Sequence, residues 1–245
     1  MTQAARSDVK YSVIVPVYNE EENLPVLLSE IRETLDPLDE PYEILFIDDG
    51  SRDGSLSVLE SLIPSNPMVR VIVFEKNAGQ TAAMDAGFKG GRGAILITMD
   101  ADLQNDPHDI PLLLAELERF DVAVGWRAKR QDSVVKKVTS RVGNAARNWL
   151  THEEIRDTGC SLKAFKQEAV AGLKLHKGMH RFLPTLCRME GFSVTQVKVN
   201  HRPRVHGKTK YGVFDRLRAT VPDLLAVRWM QSRVLNYRIA RELKK

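Results

Sequence analysis

Five short apolar runs within the first 125 residues are separated by segments with apolar residues at helical spacing, and this alternation restricts the fold more than any other feature of the chain. The runs are residues 11–15, 42–47, 69–74, 95–99 and 121–125. Each is short, β-branched and almost uniformly apolar, as expected of strands covered on both faces. Pro16 closes the first run. The segment after it opens at Asn19-Glu20-Glu21-Glu22-Asn23, places Leu24, Leu27, Leu28, Ile31 and Leu35 on one helical face, and ends at Asp36-Pro37. Further helices are predicted through Leu56, Leu59 and Leu62, over residues 81–89 and over 107–120. Strand and helix alternating five times predict an α/β fold: a doubly wound, mostly parallel sheet flanked by helices, with right-handed crossovers. Gly79, Ala82, Ala83, Ala86 and Gly87 suit close packing of a helix on that sheet.

Three of the strand ends carry chemistry. The first is Pro16-Val17-Tyr18-Asn19-Glu20, the second Asp48-Asp49-Gly50-Ser51 and the third Asp100-Ala101-Asp102-Leu103-Gln104. Taken singly each is a turn: Asn19 and Asp53 are N-cap residue types, and Asp-Gly is a turn pair. Taken together they fall on the carboxyl edge of one sheet, where open α/β folds bind ligands. Asp100 and Asp102, spaced i, i+2 beyond an apolar strand, point to one face. With the amide oxygen of Gln104 they form a hard-oxygen set suited to Mg²⁺ or Mn²⁺ carried by phosphate.

The rest of the chain is less patterned. Residues 134–150 predict a basic amphipathic helix, 155–200 an α+β region with a strand at 194–199, and 216–243 a helix interrupted at Pro222. Residues 201–245 hold 12 Lys/Arg against 3 Asp/Glu, whereas the first 200 hold 24 against 29. A basic tail on a mildly acidic body points to an anionic partner. Apolar Val221, Leu224, Leu225, Val227, Trp229, Met230, Val234, Leu235 and Ile239, mixed with six arginines, favour a helix lying on a membrane surface, with packing on its own domain or on a second subunit as the alternatives. Trp229 and Tyr237 are too few aromatics for a stacking surface, so no nucleic-acid partner is expected. The first ten residues have no apolar signal core, and no run approaches the roughly 18 apolar residues of a membrane span. Cys160 and Cys187 form no metal-type pair, and a reducing, cytoplasmic setting is expected. His176, His180 and His206 lack zinc spacing.

The three strand-end motifs resemble those of the family-two inverting glycosyltransferases of the GT-A fold. Gly125-Trp126-Arg127, Thr158-Gly159-Cys160, Arg181-Phe182-Leu183-Pro184 and the segment from His201 to Tyr211 narrow the resemblance to the polyprenyl-phosphate glycosyltransferases, the group that includes dolichol-phosphate mannose synthase. It covers roughly residues 11 to 212. The expected division is a glycosyltransferase domain over 8–212 and a basic amphipathic tail over 213–245.

The resemblance implies metal-dependent, inverting transfer of a hexose from a nucleotide sugar, GDP-mannose or a UDP-hexose, to polyprenyl phosphate. It implies that Pro16, Tyr18, Glu20, Ile47 and Asp49 line the base and ribose pocket. Asp100, Ala101 and Asp102 would border ribose and diphosphate, with Asp102 and Gln104, helped by Asp100, holding Mg²⁺ or Mn²⁺. Arg127 would face the diphosphate and the acceptor phosphate, with Arg204 and Lys210 on a loop that closes over the phosphates. Arginine suits two-point phosphate contact and lysine acts as a point charge. A lipid monophosphate, with its second pKa near 6, is already anionic and needs little help from a base; Asp157 is the candidate base or sugar-hydroxyl ligand. The enzyme would sit peripherally on the cytoplasmic face of a membrane. Three alternatives are a soluble or polysaccharide acceptor, a silent nucleotide-sugar-binding scaffold, and a receiver-type phosphoacceptor, the last leaving Asp100 to Gln104 unexplained.

Overall fold

The computed structural model describes residues 9–128, 154–203, 213–235, 237, 240 and 241, with only the backbone described for 213–220. The predicted alternation is present: β1 (Tyr11–Val17), α1 (Leu24–Leu35), β2 (Tyr42–Asp48), α2 (Ser55–Leu62), β3 (Val69–Val73), α3 (Gln80–Gly90), β4 (Ile95–Thr98), α4 (Ile110–Glu116) and β5 (Val122–Arg127). After these come β6 (Lys163–Lys166), α5 (Gln167–Ala171), α6 (Leu183–Met189), β7 (Val194–Val199) and α7 (Val213–Gln231). The seven strands form one sheet in the order β3-β2-β1-β4-β6-β5-β7. Every pairing is parallel except those of β6, which runs against both β4 and β5.

Two apolar layers sandwich the sheet. Val13, Val15, Val17, Ile44, Phe46 and Ile97 face α1, α2 and α4. Ile14, Leu45, Ile47, Leu96, Val122 and Phe165 face α3, α5 and α6. Strand periodicity sends alternate side chains to opposite layers, so both must be apolar, which is why these strands read as unbroken apolar runs. α3 lies very close to the sheet. A Cβ on Gly87 would stand 2.2 Å from Ile14 Cγ2, as the small-residue pattern anticipates.

The sequence puts Pro16 at the end of the first strand, yet β1 continues through it to Val17. Ile14 O accepts from Met99 N on the β4 side, and Val17 O accepts from Asp49 N on the β2 side. Alternation therefore turns Pro16 toward β4, which has already stopped at Thr98, level with Ile14. Its missing N–H costs no ladder bond there. Pro222 likewise lies inside α7 rather than interrupting it. It is exposed to solvent, so water can take up the carbonyl it leaves without a donor, and Val227 behind it is fully buried against Met179, Phe182 and Leu186. The predicted helix at 134–150 lies outside the described residues.

Candidate active site

The strand order reverses at β1: β2 and β3 are laid down on one side of it, β4 and the later strands on the other. Such a switch point opens a crevice at the carboxyl ends of the strands. Register deepens it, because β4 ends level with Ile14 while β1 runs three residues further, to Val17.

Reciprocal hydrogen bonds lace the loops after β1 and β2. Asn19 N donates to Ser51 Oγ (3.0 Å), Arg52 N to Asn19 Oδ1 (2.7 Å), Glu20 N to Ser55 Oγ (2.8 Å) and Gly54 N to Glu21 Oε2 (2.6 Å). Asn19 is thus a loop tie in the left-handed region, at φ 56°, rather than a helix cap. The N-caps of α1 and α2 are Asn23 and Gly54, and Asp53 supports α2 by accepting from Ser55 N (3.0 Å). Pro16, Tyr18 and Glu20 are half-buried along this rim, with Glu20 Oε2 accepting from Asn23 Nδ2 (2.7 Å).

Ile47 sits differently from the expectation of a pocket lining. Ile47 is fully buried in the α3-side core, one strand period below Asp49, so its side chain cannot line a pocket. Asp49 is buried, and its carboxylate gathers the loop before α3. Oδ1 accepts from Ala78 N (2.6 Å), and Oδ2 from Gly79 N (2.9 Å) and Asn77 Nδ2 (2.9 Å). Asn77, Ala78 and Gly79 are thereby brought to the crevice.

The acidic turn after β4 is held from several elements. Gln80 Nε2, at the start of α3, donates to Asp100 Oδ1 (2.7 Å). Asp100 N (3.2 Å) and Ser161 Oγ (2.6 Å) both donate to Asn105 Oδ1. Gln104 N donates to Asp102 Oδ1 (3.2 Å) across Leu103, whose φ is 59°. Ala101 and Leu103 pack into the core, and the Asp100 and Asp102 carboxylates lie close enough for the charge of one to act on the other. Asp102 is only 7% exposed, so it lies within the wall of the crevice and not on an open rim. Burial, then the charge of Asp102, raises the Asp100 pKa to about 6. No group of three or more His, Cys, Asp or Glu side chains suited to a metal occurs among the described residues. One or two carboxylates with an amide oxygen are nonetheless the donor set that Mg²⁺ or Mn²⁺ takes when substrate phosphates complete its coordination.

Arg127 closes the far end of the crevice at the tip of β5. Its Nε donates to Asp157 Oδ2 (2.7 Å) and its Nη2 to Asp157 Oδ1 (2.9 Å), a planar two-point fork. Arg127 N (3.3 Å) and Gly159 N (3.1 Å) also donate to Asp157. Burial works against the guanidinium charge, but the Asp157 bonds outweigh it and raise the Arg127 pKa. Four donors converge on this carboxylate, and a proton there would compete with them, which disfavours the role of general base. Asp157 instead fixes the direction of Arg127. The fork uses two of the five guanidinium N–H groups.

Sequence reasoning missed Gln80, Asn105 and Lys163. Lys163 is only 3% exposed and donates from Nζ to Cys160 O. Burial lowers its pKa, while neighbouring Cys160, Asp100 and Asp157 oppose the fall. Its signal was a lone lysine inside Ser161-Leu162-Lys163-Ala164-Phe165. Because β6 is antiparallel, its first residue stands on the edge where the parallel strands end. Cys160 is fully buried, with its pKa raised by burial to about 11, which agrees with a packing role. Arg204 and Lys210 lie outside the described residues.

The glycosyltransferase family 2 profile (Glycosyl transferase family 2) matches residues 12–173, from β1 to the end of α5. The chain belongs to that family. It is 35% identical over 225 residues to dodecaprenyl-phosphate galacturonate synthase of Rhizobium johnstonii, covering 89% of this chain and 66% of that one. It is 37% identical over 211 residues to undecaprenyl-phosphate 4-deoxy-4-formamido-L-arabinose transferase of Aeromonas hydrophila, covering 84% of this chain and 64% of that one. The chain therefore spans just under two thirds of the length of these relatives. Glucosyl-3-phosphoglycerate synthase from Mycobacterium tuberculosis, solved with Mn²⁺, UDP and phosphoglyceric acid, superposes with a TM-score of 0.68 at 18% identity, over 93% of this chain and 80% of that one. A mannosyltransferase from Pyrobaculum calidifontis, solved with GDP-Man and Mn²⁺, gives 0.64 at 20% identity, over 91% and 64%. At such identities the likeness is one of fold, and it bears out the GT-A architecture. The relatives bear out the expected link to polyprenyl-phosphate sugar transferases.

Proposed function

We propose that this chain transfers a sugar from a nucleotide sugar to a polyprenyl phosphate, with inversion at the anomeric carbon and with Mg²⁺ or Mn²⁺ as cofactor. The observation that carries the proposal is the placement of the Asp100–Gln104 turn at the sheet's switch point, with Arg127 held rigidly at the other end of the same crevice. The names of the two relatives, both polyprenyl-phosphate sugar transferases, support the acceptor.

In this reading the laced loops after β1 and β2 receive the nucleoside, with Pro16, Tyr18, Glu20 and Asp49 around it. Asp102 and Gln104, backed by Asp100, hold the cation, which when bound supplies positive charge where the leaving diphosphate gains negative charge. Arg127 presents its remaining N–H groups to the phosphates in a direction fixed beforehand by Asp157, so little reorganisation accompanies the reaction. Arg204 and Lys210 add phosphate donors, an assignment that rests on the resemblance. The acceptor phosphate oxygen forms the new bond to the anomeric carbon as the bond to the diphosphate oxygen breaks. That single displacement inverts the centre and requires no protein nucleophile. With Asp157 engaged by four donors, deprotonation falls to the acceptor's own acidity.

The tail belongs to the same reading. On α7 the exposed Val221, Leu225 and Trp229 share one stripe, and exposed Leu235 and Tyr237 follow. This apolar stripe with arginines nearby suits the surface of an anionic membrane that holds the acceptor.

The test is transfer of label from a panel of UDP- and GDP-linked sugars. Purified protein and Mn²⁺ are offered undecaprenyl phosphate or a soluble saccharide. Organic-extractable label from one donor supports the proposal. Nucleoside diphosphate release with the soluble acceptor alone would reassign the acceptor, and no turnover with any pair would reduce the chain to a binding scaffold.

A further inference from the structure

Arg202 lies outside the crevice, just beyond β7, and the sequence motifs give it no role. Two of its groups nevertheless reach the turn after β4, and a third ties it to α1. Its backbone N–H donates to Gln104 O (3.1 Å). Its Nη1 donates to both carboxylate oxygens of Glu30 on α1 (2.7 and 2.8 Å). Its Nη2 donates to Asp106 Oδ1 (2.7 Å). Two residues earlier, Asn200 donates to Asp109 through its N–H (2.6 Å) and its side-chain amide (3.1 Å). The end of β7 is therefore clamped along residues 104–109, the stretch that follows Asp102.

The clamp answers a local problem. Leu103 holds a left-handed backbone, an unfavourable state for a branched non-glycine residue by about 1 kcal/mol. Such a conformation persists only where its surroundings determine it. Leu103 is fixed from below by core packing and across the turn by the Gln104 N–H to Asp102. On the outer side the ties are the Gln104 O to Arg202 bond and the Asp106 to Arg202 bridge. Without them the Gln104 peptide could rotate, and Gln104 and Asp102 would lose their relative geometry.

We propose that Arg202 is a positioning residue for the divalent-cation site, acting through the Gln104 carbonyl and Asp106 to hold the Asp102-Leu103-Gln104 turn in a metal-competent shape. The inference rests on the proposed reading that this turn binds Mg²⁺ or Mn²⁺. Outer partners of metal ligands typically influence affinity by about 10- to 100-fold. Lysine keeps the charge but cannot reach two carboxylates as a planar fork.

The test is Mn²⁺ binding, read by electron paramagnetic resonance of free Mn²⁺ with UDP or GDP present, together with thermal melting. R202A should weaken Mn²⁺ binding about 10-fold or more at temperatures where its circular dichroism is native, with R202K in between. Excess Mn²⁺ should restore most of the R202A turnover. E30Q removes part of the clamp from α1 without altering the turn's own residues, and should weaken Mn²⁺ binding by a smaller factor even if R202A fails to fold. A lowered melting temperature with wild-type Mn²⁺ affinity in R202A, or in E30Q where R202A does not fold, would overturn the proposal by making the clamp purely structural. Absence of Mn²⁺ binding by the wild-type protein with either nucleotide would overturn the metal reading itself, and the proposal with it.

Discussion

Asp157 shows how a side chain's partners bear on the role that residue type suggests. A carboxylate beside Thr158-Gly159-Cys160 in an arginine-rich chain suggests a base, yet its oxygens are taken by Arg127 and two backbone N–H groups. Asp157→Asn should therefore lower kcat/KM about 10- to 100-fold by loosening Arg127, the scale of a lost outer-shell partner. It should leave the pH at which activity falls on the acid side unchanged; loss of that ionisation would restore the base. Asp121 is the contrasting case on the opposite edge of the sheet. Hydrogen bonds from Ser193, then Lys166, hold its pKa down at about 2. A depressed carboxylate pKa stabilises the fold above its unfolded value of about 3.9, and that contribution is lost as pH falls toward 2. Asp121→Asn should cost about 1 kcal/mol in a denaturant melt at pH 7, after allowing for solvent screening. Most of that difference should vanish by pH 2, with activity at pH 7 untouched. A difference independent of pH would contradict the account.

At the scale of elements, what was legible followed from periodicity. β1 to β5 were readable because strands covered on both faces must be continuously apolar, and α1 because one face of it packs on the sheet. The three motif turns were readable because a doubly wound sheet brings its strand ends to one edge. β6 was not legible. It is four residues long, carries lysine at both ends, and depends for its existence on β4 and β5 on either side. The connections Gln80 to Asp100 and Ser161 to Asn105 join residues 20 and 56 positions apart, which no local pattern encodes. Gly87 was legible as a small residue, but its reason is the 2.2 Å approach to Ile14. Gly87→Ala should destabilise the protein by about 1–3 kcal/mol, the range for overpacking, measured by urea unfolding. A neutral result would mean that α3 can slide on the sheet.

For the whole molecule, the surplus of positive charge lies in residues 201–245, and α7 displays its apolar stripe there. No helix among the described residues is long and apolar enough to cross a membrane. Val227, with Leu224 and Met230 beside it, packs on Met179, Phe182 and Leu186, so α7 is seated on the body through one face while Leu225 and Trp229 remain outward. Of the three sequence readings of this segment, packing on its own domain is thus realised for one face of the helix. Leu225→Glu with Trp229→Glu should reduce sedimentation with anionic vesicles at least several-fold and leave the melting temperature within about 2 °C of wild type. Unchanged sedimentation would remove the membrane role of α7. The central claim is that the crevice at the β1–β4 switch point carries out metal-dependent transfer to a lipid phosphate. The most direct measurement is organic-extractable label from a nucleotide sugar, with undecaprenyl phosphate as acceptor, for wild type, for wild type with EDTA, and for Asp102→Asn. The account predicts robust transfer in the first, none in the second until Mn²⁺ is restored, and at least a 100-fold loss in the third with a native circular dichroism spectrum. Transfer by Asp102→Asn at the wild-type rate in limiting Mn²⁺ would contradict it.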